Sequence, residues 1–218
     1  MVTTAKIVGY DGRLLTLAPE DSVTRELLQK ECREVELRLD DGRSITTVQR
    51  KKIFALVREI SDWSGHDPEY IRERMTWDFR SIDGRPDFSL SDVDRTTARE
   101  FIDYLIGFCF QWGVPTRDSL LSRTEDIGRY LYLCLEHRKC AICNARAQVH
   151  HVDRIGMGRD REEVVHVGLK AIALCPRHHE QAHKEEADMF EKWHIYGIPL
   201  DEYLCRTLSL PGAGPGKK

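Results

Sequence analysis

The sequence predicts an α+β fold: a mixed sheet plus helices in the N-terminal half, then a strand and a helix framing a compact cysteine–histidine cluster. Three observations carry this. Apolar residues alternate with polar ones around Asp-Gly turns in the first 45 residues. Apolar residues recur at helical spacing over 47–63 and again over about 92–112. Six of the nine histidines and three of the seven cysteines crowd into residues 140–183.

The segments AKIVGY and RLLTLA flank Asp11-Gly12, a hairpin signal. Residues 19–31 are polar, with helical spacing at Val23, Leu27 and Leu28. Val35, Leu37 and Leu39 alternate with charged residues, and Asp41-Gly42 turns into Arg43-Ser44-Ile45. These read as strands of the mixed sheet. Residues 47–63 place Ile53, Leu56, Val57 and Ile60 on one helical face, with Arg50, Lys51 and Lys52 at the start. A second helix is expected over 67–79. The long one over 92–112 has a stripe of Ala98, Phe101, Ile102, Leu105, Phe108, Cys109 and Trp112, and Gly113-Val-Pro115 ends it. Asp83-Gly84-Arg85-Pro86 is a turn or loop. Trp63, Trp77, Phe79 and Trp112 could stack nucleobases, but aromatics at helical spacing read first as core.

Composition bounds the class. A chain of 218 residues holds one sizeable domain or two small ones. Apolar content of 41% with 32% charge is ordinary for a soluble globular protein. No apolar run approaches the ~18 residues of a membrane span. The N-terminus lacks an apolar signal core, so a cytoplasmic protein without membrane partners is expected. Cys32, Cys109, Cys134 and Cys205 then read as buried or spare thiols. The net charge of −3 argues against a uniformly basic coat. Locally, residues 134–183 hold eight Lys or Arg against six Asp or Glu. Arg154, Arg159 and Arg161 crowd one loop there, a placement suited to phosphate contacts.

The cluster sorts its own ligands. Cys140 and Cys143 are two residues apart, so both thiolates can face one ion. Cys175 and His178 repeat that spacing. Together they form a Cys3His set suited to a closed structural zinc site. After Cys175-Pro176 a helix is expected, because Pro favours a first helical turn. Positions four apart share a helical face, so His179 and His183 can grip a second ion, while His178 is rotated by about 100° toward the first. QVHHVDRI reads as a short strand, where neighbours point to opposite faces. One of His150 and His151 can complete a three-histidine site, and the other is a candidate general base.

This constellation, over about residues 134–195, resembles the HNH or ββα-metal endonucleases. The resemblance implies metal-assisted hydrolysis of DNA phosphodiester bonds, leaving a 5′ phosphate and a 3′ hydroxyl. It makes His151 the base, and His150, His179 and His183 the ligands of a catalytic divalent ion. Three imidazoles suit Zn, Ni, Co or Mn better than Mg. Two positions depart from the family pattern. His178 stands where a fourth Cys is usual. The family's middle Asn falls near Lys170, which offers no acceptor, leaving His166 or the loop backbone to substitute.

Residues 34–118, with RSITTVQRKKIFALVREISDWSG and FSLSDVDRTTAREFIDYLIGFCFQWGVP, resemble the NinB/Orf family of phage recombination proteins. That implies single-stranded or branched DNA as partner, a possible homodimer, and Arg50, Lys51 and Lys52 as phosphate contacts. The two halves in this order resemble phage-encoded HNH nucleases of recombination or replication. The expected organisation is a DNA-binding domain over 1–118, a nuclease domain over 119–210 and a flexible tail over 211–218. The rival reading is a non-catalytic zinc-containing DNA-binding mediator. A nucleobase deaminase is weaker still, because its His-x-Glu and Pro-Cys-x-x-Cys order is missing.

Overall fold

The computed structural model describes residues 5–19, 43–152 and 165–210. The expected elements around Val23 and Val35, the loop carrying Arg154, Arg159 and Arg161, and the tail after Leu210 lie outside the described residues. The first hairpin forms as read, with β1 (Ala5–Tyr10) antiparallel to β2 (Leu15–Pro19). Its turn is fixed by Asp11, whose carboxylate accepts the N–H groups of Arg13 and Leu14 at 3.0 and 2.8 Å. Those bonds hold the Asp11 carboxyl below its ordinary range.

Three helices follow: α1 (Thr47–Ser64), α2 (Pro68–Asp83) and α3 (Arg95–Trp112). Local chemistry sets their ends. Thr46 and Gln49 form a capping box before α1. Asp67 caps α2 with Pro68 in its first turn, and Asp94 caps α3 by accepting from Thr97. Arg43-Ser44-Ile45 does not build a sheet. Ser44 bridges Asp94, and the Ile45 N–H donates to Val93 at 2.7 Å. Every strand pairing among the described residues is antiparallel, in two small sheets. The expected strand around Val35, on which a mixed sheet depends, lies outside the described residues.

The second half adds α4 (Ile127–Glu136), β3 (Gln148–His151), β4 (Lys170–Leu174), α5 (Pro176–Trp193), β5 (Ile198–Pro199) and α6 (Glu202–Thr207). Strand β4 lies between β3 and β5. Its Ala171, Ile172, Ala173 and Leu174 are all buried, so it is the floor on which the site is built. One apolar core runs from Ile45 to Leu208. Phe101, Ile102, Leu105 and Ile106 of α3, and Tyr130, Leu131 and Leu135 of α4, are fully enclosed in it. Each such side chain contributes about 1.5–3 kcal/mol by leaving water. Across residue 118, Arg123 reaches back to Glu59 of α1 at 2.8 Å, with both side chains buried. No described helix is long and apolar enough to cross a membrane.

Candidate active site and metal centres

A tight turn presents the first cysteine pair. Asn144 adopts a left-handed φ of 59°, and its N–H donates to the Cys140 carbonyl at 2.9 Å. Its side chain ties the turn to the helical layer. The Asn144 Oδ1 accepts the Leu120 N–H at 2.7 Å, and its Nδ2 donates to the Tyr130 hydroxyl at 2.7 Å. The Ser119 hydroxyl donates to the Ile142 carbonyl at 2.7 Å. The other pair sits at the mouth of α5, where Cys175 is the N-cap and His178 lies in the first turn.

The four side chains converge. Cys140 Sγ and Cys175 Sγ each lie 3.3 Å from His178 Nδ1, and Cys143 Sγ lies 3.7 Å from Cys175 Sγ. All four donor atoms fall within 4.8 Å of one another. A tetrahedral ion with Zn–S of about 2.3 Å has S–S edges near 3.8 Å and slightly shorter S–N edges. The observed separations match that tetrahedron and are too long for a disulfide of about 2.05 Å. Burial pushes the Cys140 thiol up to about 12. Cys175 goes the other way: burial opposes ionisation, but the His178 N–H, the Cys143 and Cys140 side chains and the Arg177 N–H together outweigh it and hold the thiol below its ordinary value. Burial and the neighbouring Arg177 lower His178, so its ring is neutral and able to ligate. The cluster could hold a structural metal such as zinc.

Strand β3 separates the adjacent histidines as its pleat requires. His150 is buried and meets α5; its ring centroid lies 4.8 Å from that of His179 and 5.2 Å from that of His183. His179 and His183 are 4.7 Å apart, and the three donor atoms lie within 4.8 Å of one another. Burial, then the two neighbouring imidazoles, lower His179. Three imidazoles grouped this closely fit a divalent first-row ion.

His151 turns to the opposite side, where its Nε2 lies 2.9 Å from Nδ1 of the buried His166. Burial lowers His166, keeping its ring neutral. Lys170 is exposed at the start of β4, and its carbonyl accepts the Val152 N–H at 2.9 Å. The position that the resemblance gives to an Asn therefore acts on the hairpin through its backbone, and a histidine side chain reaches His151. One residue escaped the sequence reading: Glu186, whose Oε2 lies 2.7 Å from His150 Nε2.

The basic candidates on α1 separate. Lys52 is paired with Glu125 at 3.0 Å, and Arg50 donates to the Ser91 carbonyl at 2.7 Å. Lys51 is exposed. Arg50 and Lys51 line a cleft of about 700 Å³ together with Phe54, Arg58 and Arg117. Of the aromatics, Phe79 is buried, but Trp77 and Trp112 are 57% and 56% exposed and Trp63 is 42% exposed. The core reading therefore holds for one of the four.

No curated protein and no solved structure matches the chain. A family of enzymes described as "Putative HNHc nuclease" matches residues 18–210, and the chain belongs to that family.

Proposed function

We propose that the protein is a metal-dependent endonuclease that hydrolyses DNA phosphodiester bonds with His151 as the general base. The observation that carries this reading is the division of two adjacent histidines: His150 joins His179 and His183, while His151 pairs with His166. A zinc module that only folds has no use for that arrangement. The Cys140, Cys143, Cys175 and His178 set is the structural zinc site. The three-histidine set is the catalytic one, taking Zn, Ni, Co, Mn or Mg. A divalent ion bound there supplies positive charge to the phosphoryl group and the departing 3′ oxygen.

The chain's own residues do the rest. His151 Nε2 lies 2.9 Å from Nδ1 of the buried His166, a contact that orients the His151 ring. The ring so oriented takes a proton from water as the general base. The second ring thus does the orienting that the family assigns to an Asn. Residues 119–210 carry the chemistry in this reading, and residues 1–118 carry DNA contacts through Arg50 and Lys51. Arg154, Arg159 and Arg161 are proposed phosphate contacts beside the site. A preference for single-stranded or branched DNA in phage recombination or replication, and a homodimer, follow only from the resemblance of residues 34–118.

The test is incubation of supercoiled, single-stranded and branched DNA with each of Zn, Ni, Co, Mn and Mg, using wild type and His151→Ala. Cleavage by wild type and its loss in the variant, with metal content and DNA affinity kept, is the expected result. No cleavage under any metal would leave the DNA-binding mediator as the better reading. Equal cleavage by both proteins would leave a nuclease with another base, His166 first.

A further inference from the structure

We propose that the cleft between α1, the start of α2 and residues 117–123 holds an unpaired DNA strand, with Phe54 stacking a base and the cleft's cations binding phosphates. The inference takes DNA as the partner from the nuclease reading above and does not depend on which histidine does the chemistry. Arg50, Phe54 and Arg58 stand four apart on α1, so they share one face of the helix. Lys51 lies beside them, and all four line the cleft of about 700 Å³. From Arg50 to Arg58 the helix rises about 12 Å, roughly three nucleotides at ~3.4 Å each.

The opposite wall is pinned in place. Buried Glu59 accepts from Arg123 Nη2 at 2.8 Å and from the Arg117 N–H at 3.1 Å. That tether sets the chain at residue 117 against α1 and leaves the Arg117 side chain 78% exposed. Five cationic side chains line the cleft against three carboxylates, in a chain whose net charge is −3. The carboxylates are already engaged: Glu59 as above, Asp118 at 3.5 Å from Arg123, and Glu69 at 3.0 Å from Arg72. The cations are not cancelled in return. Lys51 and Arg58 are exposed and pair with no carboxylate among the described residues. Arg50 donates to the Ser91 carbonyl, which leaves its charge whole. Such a cleft draws an anion.

Phe54 decides which anion. It is 46% exposed, between the two arginines of its stripe. A free phosphate or an acidic peptide gains nothing from that ring, whereas a nucleobase has a flat π face to lay on it. A duplex keeps its bases stacked on one another, so an unpaired strand is the form that brings a base to Phe54. A cationic groove with an aromatic ring inside it holds single strands through backbone charge and stacking together.

The experiment uses the full chain with its structural zinc in place and no other divalent ion added. Fluorescence anisotropy follows a labelled single-stranded oligonucleotide and its matched duplex over a range of salt. The variants are Phe54→Leu, Phe54→Trp, the double variant Arg58→Gln with Arg117→Gln, and Arg206→Gln as a surface arginine outside the cleft, each checked by circular dichroism. Phe54→Leu, which keeps apolar bulk but loses the ring, is expected to weaken the single strand about fivefold or more and to leave the duplex unchanged. Phe54→Trp should bind as wild type does. The double variant should lower the single-strand salt slope by about 1.4, at about 0.7 per lost contact, and Arg206→Gln should not change it. Wild-type single-strand affinity in Phe54→Leu, or an unchanged slope in the double variant, would overturn the proposal. If wild type still cuts DNA in that case, the nuclease reading stands without this cleft. If the cleft variants lose the single strand but wild type cuts no DNA with any metal, the cleft stands and the nuclease reading falls.

Discussion

The two clusters share helix α5, yet they are opposites. The cysteine set draws on the turn after α4 and the first turn of α5, and three of its four residues are buried. Its turn is tied down by Asn144, Ser119 and Tyr130. The histidine set grades outward from buried His150 through half-buried His179 to exposed His183. A closed tetrahedron satisfies its ion and has nothing left to offer a substrate. An open set at a surface keeps positions available. In the proposed function, that difference in burial and anchoring separates a site that holds the fold from one that does chemistry.

The largest expected effect lies on the closed side. Cys140→Ser, or strong chelation, is expected to unfold the C-terminal half, since structural zinc contributes on the order of 10 kcal/mol in small modules. Circular dichroism melts with and without chelator check this. A chelator that removes all metal yet leaves the melt unchanged would erase the distinction. Next is the open side. Loss of a general base costs about 10²–10⁴ in rate, so His151→Ala should lose that much cleavage with its melt unchanged. His183→Ala should keep its fold and lose metal. Outer-shell losses already cost about 10–100-fold in affinity, and loss of a direct ligand should exceed that, with partial rescue of activity by excess metal.

A pH titration sharpens the contrast once one background group is removed. Asp103 is 8% exposed, and its Oδ1 has no hydrogen-bond partner among the described residues. Burial, and then the Asp126 carboxylate, raise it from the ordinary 3.8 to about 7. The folded chain therefore keeps a proton that the unfolded chain releases. Stability from this group is full below pH 3.8 and is lost as the pH rises through about 7. The cysteine set runs the other way, since its thiolates and imidazole take up protons and release metal as the pH falls. Asp103→Asn should stabilise the protein above pH 7 by on the order of a few kcal/mol. Its denaturation midpoints should then show only the acid-side loss. A variant with the wild-type pH profile would contradict the Asp103 assignment.

The smallest effect is steric. A Cβ at Gly197 would lie 2.5 Å from Val152 Cγ2 and 3.1 Å from Val152 Cβ. Val152 follows His151 directly and is stiff at its branched Cβ. Gly197→Ala should cost about 1–3 kcal/mol by overpacking and lower cleavage while zinc content stays at one per chain. Zinc loss in this variant would show that the two clusters are not independent.

Much of this was legible before the structure. Helices α1, α2 and α3 carry apolar stripes and caps, and those signals are local. The cysteine set was legible from spacing alone, and the parting of His150 from His151 from the strand pleat. Helix α4 was not, because IGRYLYLCLE is short and apolar nearly all round, with five of its residues buried. Strand β4 was not, because Ala171, Ile172, Ala173 and Leu174 are all buried and leave no alternation to read. His166 could be suspected but not placed, since its partner is fifteen residues away. Glu186 was hidden among the acids of HKEEADMFEKW, and the break at Glu185 leaves no periodic trace. The tryptophans misled, because helical spacing reports a stripe but not whether another element covers it.

The central claim, two metal sites with different work, is tested most directly by counting metal equivalents per chain in wild type, His183→Ala and Cys140→Ser. Wild type purified without added metal should carry one zinc and take up one further Mn²⁺ or Co²⁺. His183→Ala should keep the zinc and take up no second ion, and Cys140→Ser should lose the zinc along with the folded C-terminal half. A wild-type protein without zinc, or a His183→Ala variant that still binds two ions, would contradict it.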